Sequence, residues 1–77
     1  MRLIGAIARE ITKDWKNVNF AAKPYLLAMF SLTGKDDQYG MDSAEDIILR
    51  FLVNAGTWKG EEARRIKKEL KEIIGAK

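Results

Sequence analysis

The sequence predicts an all-α fold, a small bundle of about four helices in a single domain over residues 1–77. Three observations predict it. Apolar residues recur at intervals of three and four in four separate segments, the spacing that lines one side of an α-helix. Asn17, Asn19, Gly34, Gly40, Gly56 and Gly60 fall between those segments and mark turns. Polar and apolar residues nowhere alternate over a length bounded by hairpin turns, so no strand is expected.

The first segment runs from about Leu3 to Trp15, with Ile4, Ile7, Ile11 and Trp15 on one stripe and Arg9, Glu10, Lys13 and Asp14 on the other face. Asn17 and Asn19 favour a turn after it. The second carries Tyr25, Leu26, Met29, Phe30 and Leu32 as its apolar face. Pro24, the sole proline, suits the first position of that helix, where its missing N–H has no intrahelical partner to lose. Whether residues 20–23 join this helix stays open, and Thr33-Gly34 reads as its stop. Residues 34–41 read as a loop.

The third helix has the strongest start signal, with Asp42 expected to cap it and Glu45 to complete a capping box. Its stripe is Ala44, Ile47, Ile48, Phe51, Leu52 and Ala55, and Gly56 is the expected C-cap. The fourth runs from about Glu61 to Ile74 on Ala63, Ile66, Leu70, Ile73 and Ile74, and Gly75 closes it. Glu61 and Arg65 are spaced as a stabilising i, i+4 pair.

Composition bounds the rest. With 77 residues the core is small, and with no Cys and no His neither a disulfide nor the commonest metal ligands can staple it. Hydrophobic content of 47% and charged content of 32% fit a folded globular domain. The longest apolar runs, Tyr25 to Phe30 and Ile47 to Leu49, are far too short to cross a bilayer, and the N-terminal run is broken by Arg9 and Glu10 before it could act as a secretory signal. The expected location is cytoplasmic. The net charge of +3 is unevenly spread: residues 1–35 carry six basic and two acidic groups, residues 36–46 five acidic and none basic, and residues 47–77 eight basic and four acidic.

Catalysis is not expected. No His is present to serve as a base beside a nucleophile, and turn formation and helix capping account for the carboxylates of residues 36–46. That stretch superficially resembles a calcium loop, but Gln38 and Gly40 break the ligand order, so no metal and no cofactor is expected. Gly56-Thr57-Trp58-Lys59-Gly60 holds residues of a phosphate loop out of order and reads as an interhelical turn.

Two binding surfaces are candidates. The acidic loop with Asp36, Asp37 and Tyr39, together with Trp58, is a candidate contact for a protein partner, with Trp58 either anchoring that partner or stapling the start of helix four against Ala63 or the stem of Glu62. Arg64, Lys68 and Lys71 share a face of helix four, and Arg9, Lys13 and Lys16 form a similar row on helix one. These rows are candidates for nucleic-acid phosphates, although charged rows are usually solvated faces and Glu61 and Glu62 oppose phosphates at the start of helix four. A homodimer is a further possibility.

The strings Asp14-Trp15-Lys16-Asn17-Val18, Pro24-Tyr25-Leu26, Asp37-x-Tyr39-Gly40-x-Asp42-Ser43-Ala44, Phe51-Leu52-x-Asn54-Ala55 and Trp58-x-Gly60-Glu61-x-Ala63 span nearly the whole chain. In them the sequence resembles short proteins encoded in phages, conjugative elements and genomes of Firmicutes, a group with no established activity. The resemblance implies an intracellular accessory protein of a mobile element, acting by binding another factor.

Overall fold

The structure, a computed structural model, describes residues 3–32, 38–39 and 42–75. Four helices carry the fold, as the periodicity predicts: α1 (Ile4–Asp14), α2 (Lys23–Met29), α3 (Ala44–Val53) and α4 (Glu61–Ile73). Their stripes meet in one hydrophobic core. It is built from Ile4, Ile7, Ala8, Ile11 and Trp15 of α1 and its end, Leu26, Ala28 and Met29 of α2, Ala44, Ile47, Ile48 and Phe51 of α3, and Ala63, Ile66, Leu70 and Ile73 of α4. No charged or polar side chain is buried with them among the described residues, so burial carries no uncompensated charge.

α1 starts without a side-chain cap. One of its orphan amides, Gly5 N–H, donates instead to the carbonyl of Leu32, 3.0 Å away, which ties the start of α1 to the chain leaving α2. A Cβ built on Gly5 would stand 3.0 Å from the Phe30 carbonyl oxygen, so the absence of a side chain is what permits this approach. The turn before α2 is organised by Asn19, whose Oδ1 accepts from Ala21 N–H (3.1 Å) and whose Nδ2 donates to the Asn54 carbonyl at the end of α3 (3.0 Å). Residues 20–22 form a turn, and the helix begins at Lys23 with Pro24 in its first turn.

Four local expectations are corrected. Residues 34–41 are not all loop: β1 (Gln38–Tyr39) pairs antiparallel with β2 (Asp42–Ser43), Gln38 opposite Ser43 and Tyr39 opposite Asp42. α3 is capped one residue later than Asp42, by Ser43, whose Oγ accepts from Asp46 N–H at 3.1 Å. The end of α3 falls at Asn54 rather than Gly56; the left-handed glycines among the described residues are Gly60 (φ 116°), which precedes α4, and Gly75 (φ 72°), which follows it. Arg65 pairs with Glu62 (2.8 Å) and with Glu10 of α1 (2.6 Å), where Glu61 was the expected partner.

Candidate functional site

Trp58 sits in the connection between α3 and α4, where its own backbone N–H donates to the Ala55 carbonyl (3.1 Å) and turns the chain inward. Its indole is 3% exposed. It stacks on Trp15 (5.6 Å between ring centres, 7° between planes) and meets the edge of Phe51 (6.4 Å, 65°), while Trp15 and Phe51 lie 6.1 Å apart at 71°. The polar edge is satisfied as well, since Nε1–H donates to Asp14 Oδ2 at 2.8 Å. Trp58 is therefore a core residue that closes the bundle, and the expectation of an exposed anchor for a partner is corrected.

Lys67 covers this cluster from α4. Its ammonium donates to the Trp58 carbonyl (2.6 Å) and lies 5.8 Å from the ring centre. Burial, then repulsion from Lys71 and Lys59, lowers the Lys67 pKa from the ordinary lysine value. Arg65 is shifted the other way, raised first by its hydrogen bond to Glu62. A recess of about 290 Å³ beside Lys67 is bordered by Lys59, Gly60, Ala63 and Arg64, and Glu61 and Glu62 occupy the adjoining first turn of α4.

Between the end of α1 and α2 lies a cleft of about 560 Å³. Its inner side is formed by Trp15 and Leu26, which are buried, and Val18, which is partly so. Leu27 and Phe30 form the outer wall and are 60% and 41% exposed. Phe20, 90% exposed, adds a third large apolar side chain at the head of the same segment. The rim is polar and positive, with Thr12, Lys16, Asn17 and Lys23 and, among the described residues, no carboxylate. The Thr12 hydroxyl is occupied within α1, donating to the Ala8 carbonyl at 3.0 Å.

Sequence reasoning placed Lys16 in a basic row but missed the cleft, and it put Phe30 on the buried face. The signal was present. Pro24-Tyr25-Leu26-Leu27-Ala28-Met29-Phe30 has too many apolar residues for one buried stripe, so some of them, Leu27 and Phe30, stay exposed. Of the other candidates, Asp36 and Asp37 lie outside the described residues and Tyr39 takes its place in β1, opposite Asp42. Arg64, Lys68 and Lys71 of α4 and Arg9, Lys13 and Lys16 at α1 are all exposed, and the Arg65–Glu10 pair holds the two helices side by side.

Among the described residues no helix is long and apolar enough to cross a membrane, and no three metal-ligating side chains are grouped. No family model, no curated protein and no solved structure matches the chain.

Proposed function

We propose that this chain is a non-catalytic accessory protein that acts by binding another protein, and that the α1–α2 cleft is the surface it uses. The observation that carries this reading is the exposure of Leu27 and Phe30 on the wall of a cleft that is already formed, with Phe20 exposed in the turn before α2. A domain this small has little apolar surface to spare, so large side chains left wet around a concavity point to a partner that covers them. The cleft also lacks the groups chemistry would need. Its one hydroxyl is bonded to the backbone and no carboxylate lines it. The resemblance to mobile-element proteins supports an accessory role and a cytoplasmic location.

A photo-crosslinking residue in place of Leu27, compared with one in place of Lys71, tests this in extract of the source organism. A protein adduct at position 27 and none at position 71 is the expected result. Adducts at position 71 alone overturn it.

A second reading is favoured by the exposure of both basic rows on neighbouring helices. Arg64, Lys68, Lys71, Arg9, Lys13 and Lys16 would bind nucleic-acid phosphates weakly and with strong salt dependence. A gel shift at low salt with no retarded band removes it.

A further inference from the structure

We infer that the occupant of the α1–α2 cleft is an acidic amphipathic helix of another protein. The inference rests on the protein-binding reading above and names the chemistry of its partner.

Charge is the first argument. Lys16, in the bend after α1, and Lys23, the first residue of α2, border the cleft, Lys13 is exposed nearby on α1, and no carboxylate lines the opening among the described residues. The nearest acids on α1 are engaged elsewhere: Glu10 faces Arg65 and Asp14 accepts from Trp58. A basic partner would meet only like charge here, and an acidic one is steered in and held in register.

Backbone chemistry is the second. Of the lining residues, Thr12 lies in α1 and Lys23, Leu26 and Leu27 in α2, and the rest lie in the bend after α1 and at the end of α2, so the described lining offers no strand edge for an extended peptide to join. The described strand pair, β1–β2, does not line this cleft. A helix brings its own hydrogen bonds and needs only apolar contact, which Val18, Leu26, Leu27 and Phe30 offer. A helix of about 15 residues is roughly 22 Å long, comparable with the molecular extents of 29 × 23 × 20 Å. Shape argues against a bilayer surface, which is met by a convex apolar face rather than received in a concave one.

The test uses the intact protein and a displayed library of helices of about 15 residues. Apolar positions at i, i+3, i+4 and i+7 draw on Leu, Ile, Val, Phe and Met, and flanking positions draw equally on Glu and Lys. Counter-selection uses the Leu27→Ser variant. Winners enriched in Glu are expected. They should bind about tenfold tighter than their Lys counterparts at low salt, lose that margin at high salt, and lose about tenfold in affinity on the Lys16→Glu/Lys23→Glu variant. Their amide perturbations should cluster at Thr12, Lys16, Val18, Lys23 and Leu27.

Winners that map to the cleft without a Glu preference overturn the acidic partner and leave the protein-binding reading standing. Winners that map to the exposed pair Leu49 and Val53, or no winners beside binding to phosphatidylglycerol vesicles, overturn both. Self-association abolished by Leu27→Ser in sedimentation would make the occupant a second copy and overturn the inference.

Discussion

Two neighbourhoods that meet at the end of α1 are finished differently. Toward α3 and α4, Trp15, Phe51 and Trp58 close on one another, the indole N–H of Trp58 is bonded to Asp14, and Lys67 lies over the seam. Toward α2, Leu27 and Phe30 stand beside a cleft with their outer faces in water. Both regions draw on the same kinds of side chain. What separates them is that a turn residue folds back over the first and nothing in the described chain folds back over the second. Trp58, an aromatic in a turn, is thus structural here, and Leu27 of α2 with Phe30 at its end is left exposed.

The largest effect that would break this contrast is at Trp58. Trp58→Ala removes a ring stacked on Trp15, its edge contact with Phe51 and the Asp14 bond, and should cost about 3–5 kcal/mol in a urea titration. A marginal domain would then be partly unfolded at room temperature. Next comes Gly5→Ala. Its new methyl meets the Phe30 backbone carbonyl at 3.0 Å, where a rigid neighbour must move, and the expected loss is about 1–2 kcal/mol despite the better helix propensity of Ala. Circular-dichroism melts would check it, and an unchanged midpoint would mean that the end of α2 shifts freely.

The smallest effect is the pH dependence at Lys67. The Trp58 carbonyl and ring favour its charged form, but burial and the neighbouring Lys71 and Lys59 outweigh them and lower its pKa. Between that lowered value and the ordinary 10.5, the unfolded chain binds more protons than the folded one, so this site's contribution to stability rises with pH. Lys67→Met cannot titrate and lacks the rise. The wild-type advantage over that variant should therefore grow as pH increases from about 8 toward 10.5. A flat difference would place the ammonium in water rather than against the tryptophan.

The helices were legible because each has a complete stripe and a turn residue at its ends. Ile4 to Trp15 and Ala63 to Ile73 needed no tertiary information. The α3 cap was harder, because Asp42 and Ser43 are adjacent, both can cap and both pair with β1, and one residue's difference in where the helix starts decides between them. That pairing is two residues long on each side, too short to leave an alternating pattern. Trp58 was ambiguous because the direction of a turn side chain is set by what packs around it, and Trp15 lies 43 positions earlier in the chain. The cleft was hidden for the same reason: Leu26 and Leu27 are chemically alike, and only the placement of α1 decides which one stays wet.

The most direct test of the contrast is the unfolding free energy of Leu27→Ser by urea titration. The side chain is 60% exposed, so the expected value lies within about 0.5 kcal/mol of the wild type. A loss of about 2 kcal/mol or more would contradict the account, because it would make the cleft wall part of the core and leave no open face to receive a partner.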